Sequence, residues 1–166
     1  KTEAVIEQLG QIRSDGPLSA LKHDELAQAT LVKSGAKEDS RASVREAEAY
    51  DFQLIRGDLY KKLPLERQVA VHVRHIESVS RLGRHADVVK FADQALLKFG
   101  AYTQFAKELF RLKELRAQAL YDTGEDKAAI EALAELIEAD PANLRRSQFE
   151  FERGRSLVRI GRGSEA

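Results

Sequence analysis

The residues that come nearest to a chemical motif are His72 and His75, three apart and so on one face of a helix, the arrangement of two imidazole ligands of zinc. Zinc needs a third protein ligand, and no His, Asp or Glu stands at a suitable spacing from the pair. Cysteine is absent from the 166 residues, which excludes thiolate ligands and disulfide staples. The two histidines therefore read as packing or surface residues, and no metal and no cofactor is expected. His23-Asp24-Glu25-Leu26 spells an endoplasmic-reticulum retention tetrapeptide, but that address is read only at a free C-terminus and here it is internal. Neither a glycine-rich phosphate loop nor a Gly-x-Ser-x-Gly elbow occurs. The carboxylates lie along helix faces with lysines and arginines three or four residues on, the pattern of solvated ion pairs. No nucleophile and base stand in reach of named roles, and the chain reads as non-catalytic.

Charge narrows the function classes further. The 27 basic and 27 acidic residues cancel, which removes a global argument for nucleic acid or acidic lipid. One local asymmetry stands out. Arg145, Arg146, Arg153, Arg155, Arg159 and Arg162 crowd the last helical stretch, whereas Glu125, Asp126, Glu131, Glu135, Glu138 and Asp140 make the preceding one acidic. An arginine stripe of this kind contacts phosphates in nucleic-acid binders. With zero net charge and aromatics limited to Phe149 and Phe151, the favoured reading is that the two helices pair by charge or that the arginines face a next repeat missing from this fragment, and no nucleic-acid partner is expected.

The elements that must position these residues are helices. Apolar residues make up 43% and charged residues 33% of the chain. No apolar run approaches the roughly 20 residues that span a bilayer, and no secretory leader is visible. Missing cysteine fits a cytoplasmic or a periplasmic location equally. The start at Lys1 and the absence of Met read as an excised fragment. Helices are expected over Thr2–Arg13, Pro17–Lys33, Ser43–Ile55, Leu65–Leu82, Arg84–Phe99, Tyr102–Thr123, Glu125–Ala139 and Leu144–Ile160. Ser43 and Glu46 suggest a capping box at the start of the third. Pro64 stunts the helix that begins at Asp58. Tyr102–Thr123, at roughly 33 Å by the helical rise, is the longest expected rod. Asp140 and Pro141 are expected as N-cap and first-turn residue of the last helix. Glycines punctuate the series at 16, 57, 83, 124 and 161.

Residues Glu108 to Asn143 form a helix-turn-helix unit with Leu112, Leu115, Leu120, Ile130, Leu133, Leu136 and Ile137 at helical spacing around Gly124. From Phe110 this unit resembles a tetratricopeptide repeat. Ala117 takes the small position of the first helix, Gly124 the closing glycine, Ala129 the first alanine of the second helix, and Asp140-Pro141 the exit. Leu136 replaces the second alanine, and Leu120 with Tyr121 replaces the aromatic, which makes it a divergent repeat. In the unit before it Gly83, Ala92 and Ala95 fit, with Val88 for an alanine and Gly100 in place of proline. In the unit after it Gly154, Gly161 and Ala166 fit. The resemblance covers residues 64–166; residues 1–63 are read as helical pairs with only weak repeat character.

The resemblance implies an all-α fold of stacked antiparallel helix pairs wound into a right-handed superhelix, an α-solenoid segment. It further implies a concave groove that holds a partner peptide or helix. The groove-facing positions would be Val73, Glu77 and Ser80, then Arg111, Glu114, Gln118 and Tyr121, then Gln148, Phe151 and Arg155. Relatives that grip a C-terminal carboxylate do so with Lys, Asn and Arg; the matching places here are Val73, Glu77, Leu115, Gln148 and Glu152, so tail capture of that kind is not expected. The expected function is a non-catalytic protein-protein interaction scaffold within a larger, bacterial, assembly or secretion protein. The alternative is a regulatory segment of a signalling or transcription protein, in which partner binding changes the curvature of the solenoid.

Overall fold

A computed structural model describes Glu25, Leu26, Ala29 and residues 40–165. The first two expected helices lie outside these, apart from Glu25, Leu26 and Ala29, which are helical. Among the described residues the fold is all-α, with no strand. It divides after Gly83 into two compact units, each described by itself below.

In the first unit, helix α1 (Ser40–Arg56) and helix α2 (Leu65–Arg81) flank a short 3-10 turn, Asp58–Lys62. Val44, Ala47, Asp51 and Leu54 are the buried positions of α1; their spacing of three or four residues makes one face of a helix. Helix α2 buries Val69, Val71, His75, Ile76, Ser78 and Val79. Leu54, Tyr60, Leu63 and Val71 form one cluster with Ile55 against it. The 3-10 turn is the stunted helix expected from Pro64. Proline excludes the preceding residue from helical geometry, and Leu63 is accordingly extended at ψ 144°. Gln68 Nε2 then donates to the Leu63 carbonyl at 2.9 Å, satisfying a group the broken helix leaves open. The capping box expected at Ser43 is not the helix start, because α1 already runs from Ser40.

The second unit holds α3 (His85–Phe99), a 3-10 turn at Thr103–Phe105, α4 (Ala106–Thr123), α5 (Asp126–Ala139), α6 (Arg146–Arg159) and a last 3-10 turn at Gly163–Glu165. Successive helices pack on one another. Val88, Ala92, Ala95 and Phe99 are the buried stripe of α3. Ala117, Leu120, Ala129, Ala132, Leu133, Leu136 and Phe149 make a core shared by α4, α5 and α6, with Val89 of α3 packed against it. Alanines at the fully buried positions 117 and 129 leave little side chain to hold the helix backbones apart.

Gly124 closes α4 at φ +77° and Gly161 follows α6 at φ +78°, a region that L side chains avoid. Glu125 N donates to Leu120 O at 3.0 Å and Arg162 N to Leu157 O at 2.8 Å, the six-to-one bonds of a Schellman ending. The glycine turns read from the sequence are therefore real chain reversals at these points.

Two expectations need correction. The rod expected from Tyr102 to Thr123 is broken: Phe105 N bonds to Tyr102 O at 3.1 Å in a 3-10 turn, and α4 starts only at Ala106. Tyr102 and Phe105 meet there with ring centroids 6.4 Å apart, and Phe105 is buried. The last helix begins at Arg146 rather than at Leu144, and Arg145, not Asp140, stands at its N-cap. Asn143 is the reason: its Oδ1 accepts from Arg145 N at 2.8 Å and its Nδ2 donates to Asp140 Oδ2 at 3.1 Å. Asparagine so used offers the backbone a turn in place of a helix.

Candidate functional site

Helix α6 has two unlike sides. Phe149, Glu152, Ser156 and Leu157 are buried. Phe151 and Val158 stand 63% and 62% exposed. Phe149 and Phe151 differ by two positions, about 200° around a helix, so one ring enters the core and the other faces solvent. Phe151, Gly154, Arg155, Val158 and Arg159 line a shallow groove of about 430 Å³ on that outer side. The Arg155 guanidinium sits 5.8 Å from the centroid of the Phe151 ring, within cation-π range.

The side of α6 turned toward α4 carries a continuous polar chain. Arg111 Nη1 donates to Glu114 Oε2 at 3.1 Å. Arg145 Nη1 lies 3.6 Å from Glu114 Oε1, and its Nε donates to Gln148 Oε1 at 3.2 Å. Gln148 Nε2 donates to Glu152 Oε1 at 2.8 Å. Further along, the Arg159 guanidinium covers the Tyr121 ring at 4.6 Å from its centroid. Its Nη1 also reaches Tyr121 O at 3.3 Å and Asp126 Oδ1 at 3.1 Å. One arginine thus ties α6 to both helices beside it.

The groove positions implied by the resemblance are sorted accordingly. Arg111, Glu114 and Gln148 are brought together by Arg145, which the set did not include. Gln118 is on the same helix as Tyr121 and donates to Asp122 Oδ1 at 3.2 Å. Tyr121 is capped rather than open. Phe151 and Arg155 lie together on the outer side of α6 and are joined there by Val158, whose spacing of seven from Phe151 is the signal that marks it. Val73, Glu77 and Ser80 are half-buried positions of α2 in the first unit.

The expected charge pairing of the last two helices is met by Arg159 with Asp126 alone among the ion pairs described. Arg145 pairs with α4 instead, Arg146 with Glu150 at 2.8 Å and Arg162 with Glu165 at 2.5 Å. The reason is geometric, since Glu131, Glu135 and Glu138 are exposed on α5 rather than at its junction with α6. Arg155 has no carboxylate partner among the described residues.

Other places offer less. A cleft of about 210 Å³ between α3, α4 and α5 is lined by Asp93, Leu96, Lys113, Arg116, Ala132 and Glu135. Its cations are already matched, Arg116 to Asp93 at 2.5 Å and Lys113 to Glu135 at 3.8 Å. His72 packs edge-on against Tyr60 at 5.6 Å, and His75 against Phe52 at 6.0 Å. Among the described residues no three His, Cys, Asp or Glu side chains converge as a metal site. No helix among them is long and apolar enough to cross a membrane. No protein-family model, curated protein or solved structure matches the chain.

Proposed function

We propose that the chain is a non-catalytic interaction scaffold of tetratricopeptide-repeat type, and that its second unit receives a partner peptide or helix on the outer side of α6. The observation that carries the reading is the exposure of Phe151 and Val158 two turns apart on one side of α6, with side-chain-free Gly154 between them. A large aromatic and a β-branched residue left in water on a helix whose other side is fully packed is a surface suited to association. Phe and Arg are also residue types that concentrate at interfaces.

The repeat assignment is supported by the left-handed glycines at positions 83, 124 and 161 and by the burial of Ala117 and Ala129 at the small positions of the 110–141 unit. A protein partner fits better than a small molecule because the groove is shallow and open, whereas small ligands are mostly enclosed.

The test is affinity capture with the whole chain and with Phe151→Asp plus Val158→Asp. Both positions are largely exposed, so helix content by circular dichroism is expected to be unchanged. A partner recovered by the wild-type chain and lost with the double variant supports the assignment. Recovery that is unaltered by the double variant refutes it.

A further inference from the structure

The outer side of α6 also constrains what lies on it. Phe151, Gly154, Arg155 and Val158 stand at i, i+3, i+4 and i+7, so their side chains form one ridge about 10 Å long on the helix surface. The missing side chain of Gly154 leaves a dip between the Phe151 ring and Val158. A ridge with a dip at helical spacing is filled by side chains that repeat at the same spacing, as when two helices interdigitate.

The charges on the rim are of one sign. Helix α6 carries Arg146, Arg153, Arg155 and Arg159 against Glu150 and Glu152. Glu150 is paired with Arg146, and Glu152 is buried away from the groove with one carboxylate oxygen held by Gln148. Arg155 lies in the groove with only the Phe151 ring described beside it. Arg159, also at the groove, spends its Nη1 on Asp126 and Tyr121 and keeps a side chain 37% exposed. A cationic partner would bring like charge onto Arg155 with no carboxylate to offset it, and an anionic one would supply the partner that Arg155 lacks.

Resting on the interaction reading above, we infer that the occupant of this groove is an amphipathic helix of another protein that carries Asp or Glu beside its apolar stripe. The apolar residues enter between Phe151 and Val158, and a carboxylate one turn away meets Arg155.

The test uses three synthetic helical peptides of about 18 residues that share one leucine stripe and differ only in flanking residues, Glu, Gln or Lys. Binding to the full chain is read by fluorescence anisotropy at about 50 and 300 mM salt. The Glu peptide is expected to bind most tightly and to weaken with salt. Arg155→Glu is expected to lower its affinity by about tenfold and to favour the Lys peptide. Arg155→Lys keeps the charge and is expected to retain most of the binding.

Equal binding of all three peptides, or preference for Lys, overturns the acidic partner and leaves the docking surface standing. If none binds while affinity capture still finds a partner that depends on Phe151 and Val158, the inference alone fails. If neither binds nor captures, both readings fail. Two further outcomes also overturn it: a concentration-dependent dimer abolished by Val158→Asp, which makes the occupant a second copy, and binding of vesicles containing phosphatidylserine in place of any peptide.

Discussion

Phe149 and Phe151 offer the sharpest test of how α6 is seated, because the same residue type two positions apart is placed in opposite environments. Phe149 is 2% exposed and belongs to the core shared with α4 and α5. A buried phenylalanine hides roughly 200 Å², worth about 5 kcal/mol at 25 cal/mol per Å². Truncation to alanine regains about 0.5 kcal/mol of helix propensity, and loss of the Arg145 guanidinium at 5.5 Å from the ring adds back a similar amount. The alanine β-carbon stays buried and keeps about 0.8 kcal/mol of the burial energy, so Phe149→Ala is expected to cost about 4 kcal/mol, within the range of such truncations in cores. Phe151 keeps only about a third of its surface covered, and the propensity gain offsets much of that, so Phe151→Ala is expected to cost less than about 1 kcal/mol. Urea denaturation of the full chain, followed by helical circular dichroism, separates the two. At roughly 2 kcal/mol per M the midpoint falls by about 2 M for the first and by under about 0.5 M for the second. Two variants of equal stability, or a more damaging Phe151→Ala, would show that α6 is rotated from the orientation described.

Gly124→Ala puts a Cβ at φ +77°, where no neighbour lies within 4 Å, so the cost is backbone strain alone; about 1–2 kcal/mol is expected in the same denaturation assay, and no loss would refute the left-handed ending of α4. Asp51 is fully buried and held by Arg74, whose Nε donates to Oδ2 at 2.9 Å, so Asp51→Ala, which breaks this buried ion pair, is expected to cost about 3 kcal/mol by thermal or urea melting. Burial pushes the Tyr60 phenol well above its ordinary 10.0. A folded-state pKa above the unfolded one means that stability is intact below pH 10 and is lost as pH rises from there toward the folded value. Absorbance titration is expected to show a late component that Tyr60→Phe diminishes, together with a flatter loss of stability above pH 10; an unchanged titration would place Tyr60 in solvent.

Reversals and buried stripes were the legible part of this fold, and for the same reason in each case: the physics there is local. A glycine at 124 or 161 is the cheapest residue for positive φ, and Val88, Ala92, Ala95 and Phe99 advertise one helical face by spacing alone. Pro64 likewise ends a helix through its own ring. The breaks that were not legible depend on contacts between side chains. Nothing in Tyr102-Thr103-Gln104-Phe105 forbids a helix, and the 3-10 turn there is held where Phe105 is buried and meets Tyr102. Asn143 defeats Pro141 as a helix start in a similar way, since its side-chain bonds to Arg145 and Asp140 become visible only in the folded turn.

The candidate surface divides along the same line. Spacing alone puts Phe151, Arg155 and Val158 on one side of a helix, but only packing decides that this side, and not that of Phe149, is left in water. The arginine stripe was visible as composition, while its division of labour was not. Arg145 and Arg159 reach α4 and α5 because they extend from the two ends of the packed side of α6, whereas Arg155 starts from the exposed side and has only an aromatic ring to lie on. Five arginines from 145 to 159 are therefore not a uniform basic patch. Arg145, Arg146 and Arg159 are neutralised within the unit and fasten helices or cap them, Arg153 is half-buried away from the groove, and Arg155 is exposed in the apolar groove. Apolar contact and the exposed Arg155 cation, which has no carboxylate partner among the described residues, then act on the same occupant. That is why replacing Arg155 is expected to change which partner is preferred while leaving the helix bundle intact.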